Sequence, residues 1–106
     1  MVKLSNHKTI TTTGSPQPLL KIPSDSIAEL KQLIISNGAS ATATVELRSG
    51  DGSDSDYDYT ILKVKVEAGK TVNLSKSDLE GFRAIKDIYV VTDQQPIEVS
   101  IVVDAK

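Results

Sequence analysis

Residues 41–48 alternate strictly: Ala41, Ala43, Val45 and Leu47 fall on one face, Thr42, Thr44, Glu46 and Arg48 on the other. A period of two marks a strand with one face on a core and one in water. A second run, Tyr57, Tyr59 and Ile61, keeps that period and then slips one residue to Leu62, Val64 and Val66. Such a slip turns every later side chain over unless a bulge absorbs the extra residue. The two runs predict a β-hairpin over Ser40 to Gly69, kinked near Ile61 or Leu62. Its long tip reads Ser49-Gly50-Asp51-Gly52-Ser53-Asp54-Ser55-Asp56.

The same period predicts a closing strand in which Ile97, Val99, Ile101 and Val103 point inward. Glu98, Ser100 and Asp104 point outward, with Val102 the one apolar residue among them. Residues Ile85 to Thr92 read as a strand with Ile88, Val90 and Thr92 on one face and Tyr89 and Val91 on the other. Short strands are expected at Leu19 to Ile22 and at Thr71 to Leu74. Turns are expected at Gly14 to Pro18, Glu67 to Lys70 and Asp93 to Pro96, where Gly, Pro and Asp cluster. Ser75 to Gly81 reads as a loop or a short helical turn near 76–81, with Ser77 as its cap.

Ser26 to Ser36 has two readings. Ser26-Ile27-Ala28-Glu29 fits a capping box, and Ile27, Leu30, Leu33 and Ile34 recur at helical spacing. Asn37-Gly38 is equally a two-residue hairpin turn, which would set Ile34 opposite Ala41, Leu30 opposite Val45 and Ala28 opposite Leu47. Gln32 alone would then lie on the wrong face, and a four- or five-residue loop would change the register.

Strands at this spacing with turns between them predict an all-β fold, a two-sheet antiparallel β-sandwich of jelly-roll or immunoglobulin-like type, or a barrel. At 106 residues the chain forms one domain. Met1 to His7 has no period and reads as an arm. Lys8 to Thr13 is β-prone and polar, which suits an edge strand or an arm that orders on contact. The expected division is therefore an N-terminal arm over 1–13 and a sandwich domain over 14–106.

Aromatic residues are scarce at 4%, so the core must rest on Val, Ile, Leu and Ala. Net charge is −2, which gives no electrostatic case for nucleic acid or anionic lipid. Without cysteine there is no disulfide and no thiolate metal site. No run approaches the roughly 18 apolar residues of a membrane span, so a soluble protein is expected. The charge is uneven. Up to Ser24 the chain carries Lys3, Lys8 and Lys21 and no acid, whereas the remainder holds all fourteen acids against nine bases. A basic leader of this kind is either a solvated terminus or a segment that docks on an acidic neighbour.

The order Pro18-Leu19-Leu20-Lys21-Ile22-Pro23, Leu33-Ile34-Ile35-Ser36-Asn37 and Ala41 to Leu47 continues, after the polar loop, with Tyr57 to Leu62, Val64 to Thr71 and Ile97 to Ile101. In this order the chain resembles the small β-sandwich structural proteins of tailed bacteriophage particles, from about Leu19 to Val103. Val66-Glu67-Ala68-Gly69-Lys70-Thr71 is the near-literal element. Two departures stand out: Lys76 to Lys86 lacks that family's Gly-rich turn and apolar strand, and the closing strand ends in Val102-Val103 without an aromatic. The resemblance implies a strand over Ile27 to Ser36. It further implies a non-enzymatic virion protein that decorates or cements the capsid, with tail, neck or fibre parts as the nearest alternative. The implied partners are the major capsid or other virion proteins and further copies of itself.

Candidate chemistry is sparse. His7, the only histidine, has no acid near it in sequence, so a Ser-His-Asp arrangement finds little support. Gly50-Asp51-Gly52 lacks the helix and third glycine of a dinucleotide site. Asp51, Asp54, Asp56 and Asp58 supply hard oxygen ligands at short spacing, as Ca²⁺ requires. Counted from Asp54, however, an EF-hand would need Gly at Tyr59 and Glu at Lys65. The loop then reads as a solvated turn, and no catalytic, metal or cofactor site is expected. A Ca²⁺-dependent carbohydrate-binding module using this loop, with Tyr57, Tyr59, Tyr89 and Phe82 as its aromatics, is the competing class.

Overall fold

The computed structural model describes residues 2–50 and 59–106. These described residues form nine strands: β1 (Val2–Ile10), β2 (Gln17–Leu20), β3 (Ala28–Asn37), β4 (Ala43–Ser49), β5 (Tyr59–Val66), β6 (Thr71–Leu74), β7 (Arg83–Ala84), β8 (Ile88–Thr92) and β9 (Ile97–Ala105). One sheet has the order β1-β9-β3-β6, with β7 also on β3. The other has the order β2-β8-β4-β5. All pairings are antiparallel. The expected two-sheet β-sandwich is the observed fold.

The strand order decides between the two sandwich types. The pairs β4–β5, β3–β6, β2–β8 and β1–β9 are successive rungs of one long antiparallel hairpin, whose tip lies between Gly50 and Tyr59. Rolling that hairpin over sets β9 against β3 and β8 against β4. This is a jelly roll, in which the sandwich edges close upon each other. Ile10, Leu33, Ile35, Val45, Leu47, Ile88, Val90, Ile97, Val99 and Ile101 fill the space between the sheets.

Two bulges explain the two breaks in the sequence pattern. In β5, Leu62 pairs with Leu47 and Thr60 with Arg48, which leaves Ile61 as the extra residue. The kink expected near Ile61 or Leu62 is there. In β3, Leu30 pairs with Val103 and Gln32 with Val102, so Lys31 is extra. Ala28 and Leu30 point inward before that bulge, Leu33 and Ile35 after it. The three-residue spacing of Leu30 and Leu33 is thus a strand period interrupted once, while Ile27 and Ile34 lie on the outer face.

Several expectations are corrected. Asn37-Gly38 does not close a hairpin: β3 and β4 belong to different sheets, so Ile34, Leu30 and Ala28 are not opposite Ala41, Val45 and Leu47. The residues expected as an arm, Met1 to His7, include most of β1, which pairs with β9 of its own chain from Val2↔Ala105 to Ile10↔Ile97. The ladder supplies what the side-chain pattern lacks, since backbone bonding is indifferent to a polar sequence. Ile85 to Thr92 is not one strand. Arg83–Ala84 pairs with β3 and Ile88–Thr92 with β4, and the chain crosses between sheets at the residues in between.

Ser75, not Ser77, closes the 76–81 turn. Its N–H and hydroxyl both donate to Asp78 Oδ2, at 2.9 and 3.0 Å, and hold that carboxyl below its ordinary pKa. Val64 is only partly buried, because β5 is an edge strand. Ala41 precedes β4 and is exposed.

Candidate docking surface

Strand directions divide the loops between two ends of the sandwich. At one end lie the β1–β2, β3–β4, β5–β6 and β8–β9 connections. At the other lie the start of β1, the end of β9, the β2–β3 connection, the Ser49 end of β4, the Tyr59 end of β5 and the 75–87 segment.

Val2, Ile27, Tyr59, Phe82 and Ile85 are the exposed large apolar residues among those described, and all five lie at this second end. Local pairing brings them there. Ala28 and Ala84 face each other with both side chains buried, and exposed Ile27 and Ile85 are their chain neighbours just beyond that ladder. Ile27 also exchanges both backbone hydrogen bonds with Lys106, at 3.0 and 3.1 Å. From the other sheet, the Tyr59 hydroxyl donates to the Arg83 carbonyl and accepts from the Ile85 N–H. The patch therefore runs across both sheets. Beside it a groove of about 450 Å³ is lined by Leu30, Lys76, Glu80, Phe82 and Arg83 among others.

Charge at this end is partly satisfied. Glu29 accepts from Lys106 at 3.0 Å and from Lys31 at 3.2 Å, and these bonds, that to Lys106 foremost, hold its carboxyl below the ordinary range. Asp87 Oδ1 accepts the Ile22 N–H. Lys76, Arg83 and Lys86 have no side-chain ion pair or hydrogen bond among the described residues.

The candidates read from sequence fall elsewhere. Asp51, Asp54, Asp56 and Asp58, with Tyr57, lie outside the described residues. Among the described residues no three His, Asp or Glu side chains are grouped to hold a metal ion. The β1–β9 register does give His7 the neighbours that sequence proximity denied it. Its Nδ1 is 2.5 Å from Ser100 Oγ, and its Nε2 is 4.0 Å from Glu98 Oε1. Both the His7 and Glu98 side chains are more than half exposed, at 59% and 56%. The trio lies on the outer face of the β1-β9-β3-β6 sheet. Strand parity was the signal that could have found it, since His7, Glu98 and Ser100 all sit on outward positions.

The outer face of the other sheet carries Glu46, which accepts from Arg48 Nε at 3.0 Å and from the Thr60 hydroxyl, opposite Lys63. Burial pushes this carboxyl up, but the Arg48 and Thr60 bonds outweigh it and hold the pKa below its ordinary value. Tyr89 lies on the same face, opposite Arg48.

The strand order and the packed interior define the class, a small jelly-roll β-sandwich. The crystal structure of PirA is similar to it, with a TM-score of 0.52 and 14% identity over 96% of this chain and 93% of that one. The coat protein of Tobacco streak virus overlaps with a TM-score of 0.44 and 12% identity, over 96% of this chain and 84% of its own. At such identity the likeness is one of fold. No family model matches the chain, and no curated protein matches it in sequence.

Proposed function

We propose that this chain is a non-enzymatic structural protein of a tailed-phage virion, which decorates or cements the capsid through protein–protein contacts. The observation that carries this reading is a packed jelly-roll body with exposed apolar side chains gathered at one end. Jelly rolls recur in viral capsid and lectin domains, an analogy of fold that sets the class of function without choosing within it. The near-literal element of the phage resemblance, Val66 to Thr71, is the β5–β6 turn, where Gly69 takes a φ of 71° and Lys70 N–H bonds the Glu67 carbonyl. Its partners on this reading are the major capsid or other virion proteins, and its place is the virion, assembled in the host cytoplasm.

Mass spectrometry of purified particles from the source of this chain, with copy-number estimation, tests the proposal. A fixed high copy number on heads supports decoration. A low number on tails moves the chain to the tail, neck or fibre alternative, and absence from particles ends the virion reading. A carbohydrate-binding module competes because the groove sets exposed Phe82 beside polar Glu80 and Arg83. Glycan binding by a chain absent from particles would favour it.

A further inference from the structure

Three breaks in the sequence pattern meet at one place on the outer face of the β1-β9-β3-β6 sheet. Val102 is the one apolar residue on the outward side of β9, Gln32 pairs with it from β3, and Lys31 is the extra residue of the β3 bulge. All three line a groove of about 400 Å³, to which Lys3 of the basic N-terminal stretch and Lys76 also contribute. A bulge re-aims the side chain it carries, and departures from the local pattern concentrate where a fold serves a function. Lys31 and Lys76 line the groove beside Phe82 and Arg83 as well, so the two grooves adjoin along these lysines. Lys3 on β1 stands two strand spacings from β3, about 10 Å away, so the cations are spread along the face and not gathered at one point.

Four cations, Lys3, Lys31, Lys76 and Arg83, and three carboxylates, Glu29, Asp104 and Glu80, are among the lining residues. Glu29 is already answered by Lys31 and Lys106. Lys3, Lys76 and Arg83 make no ion pair or side-chain hydrogen bond among the described residues, and the Asp104 and Glu80 carboxylates accept none there. Such a lining asks for a ligand with anions for the cations and hydrogen-bond donors for the two open carboxylates. A DNA backbone offers acceptors alone. An acidic peptide carries its donors in the main chain and needs an open strand edge, whereas β9 is paired on both sides here. A sugar chain bearing carboxylate or sulfate groups brings anions and hydroxyl donors together, and the C–H faces of its rings can rest on Val102 and the exposed Phe82. We infer that these adjoining grooves bind an acidic oligosaccharide, with Lys3, Lys76 and Arg83 on its anionic groups and Asp104 and Glu80 on its hydroxyls. The inference goes beyond the virion reading and stands whether or not the chain is found on particles.

Calorimetric titration of the full chain with oligosaccharides of galacturonate, of hyaluronan and of chondroitin sulfate tests it, with cellotriose as the neutral control. Binding to at least one acidic oligosaccharide and not to cellotriose is expected, and added salt should weaken it. Lys3→Glu/Lys76→Glu should weaken binding by about tenfold or more, because it sets like charges against the ligand. Lys63→Glu/Lys65→Glu, the same change of charge on β5 of the other sheet, should leave binding nearly unaltered. All four lysines are exposed, and an unchanged melting temperature shows that each variant is folded. Amide resonances of Lys31, Gln32 and Val102 should shift on titration. Failure to bind any of the three acidic oligosaccharides overturns the inference, and so does equal binding of cellotriose. Equal weakening by both double variants overturns it too, since binding then follows net charge and not these grooves. Tighter binding of poly-glutamate or of a thymidine oligonucleotide at the same resonances assigns the grooves to another polyanion, with the same result.

Discussion

At the end where β3 passes into β4, buried polar groups are answered within the chain. Asn37 is buried there and ties the β3–β4 connection to the β5–β6 connection. Its side-chain amide donates to the Ala41 and Val66 carbonyls, both at 2.9 Å, and its Oδ1 accepts the Ala39 N–H at 2.8 Å. Its backbone bonds Lys70 and Gly69, and Gly38 N–H bonds the Pro96 carbonyl. Gly38 lies so close to Pro96 that an added Cβ would come within 3.1 Å of the ring. No exposed large apolar residue is found at this end among the described residues. The opposite end leaves Ile27, Phe82 and Ile85 in solvent, and Lys76, Arg83 and Lys86 without an ion pair among the described residues. Both ends are sets of turns on the same two sheets. One is knit together by a buried polar side chain, and the other exposes apolar side chains.

Substitutions should separate the two ends by size of effect, with mid-strand Ile101 setting the scale. Ile101→Ala leaves a cavity between the sheets and should cost about 2–5 kcal/mol in urea unfolding. Asn37→Ala strips partners from three backbone groups at the satisfied end, and about 2–4 kcal/mol is expected by the same measurement. A loss below that of a typical surface change would show that water replaces the side chain and that this end is less tightly closed than its bonds suggest. Gly69→Ala, at φ 71° with open space around a built Cβ, should cost about 1–2 kcal/mol from backbone strain alone. At the apolar end, Ile85→Ser should stay within about 0.5 kcal/mol, the range of ordinary surface changes. A cost comparable to that of Asn37→Ala would mean that Ile85 supports the fold, and the contrast between the ends would disappear.

Acid offers the finest comparison. Glu29 at the apolar end and Glu46 on the sheet face both have lowered pKa values in the folded chain. A carboxylate depressed on folding contributes stability above its unfolded pKa and loses it as pH falls through the folded one. Melting temperature should therefore hold steady at neutral pH and fall below the ordinary carboxylate value of 4.5. Glu46→Gln should flatten that fall. Glu29→Gln should change it less, since Lys106 and Glu29 are 52% and 35% exposed whereas Arg48 and Glu46 are 21% and 13% exposed. Equal flattening by both would mean that the Lys106 contact is as well shielded as the Arg48 contact.

The N-terminal strand shows how far the sequence could be read. Its inward side chains are Leu4, Asn6, Lys8 and Ile10, so no apolar alternation marks it. Asn6 Nδ2 and Lys8 Nζ face inward because the sandwich edge puts the Leu19 and Pro18 carbonyls of β2 within 2.6 and 2.9 Å. A polar residue on the inner face is a mismatch only until the neighbouring strand is known. Asn37-Gly38 misled for a related reason. The pair fits a two-residue hairpin turn locally, yet Asn37 serves instead as a buried hub for strands far apart in sequence.

The sequence by itself determined the all-β class, most strand positions, the inward residues of β4, β8 and β9, and the kink in β5. Those follow from a local rule, the alternation of side chains across a strand, which neighbouring residues suffice to reveal. Only the tertiary structure decided which sheet each strand joins, that β3 and β4 part company, and that Val2 to Ile10 is pinned to β9. Those are pairings between residues up to ninety or more positions apart, such as His7 with Ser100. Backbone ladders carry no side-chain code, so they were settled by how a rolled hairpin closes its edges and fills the space between two sheets.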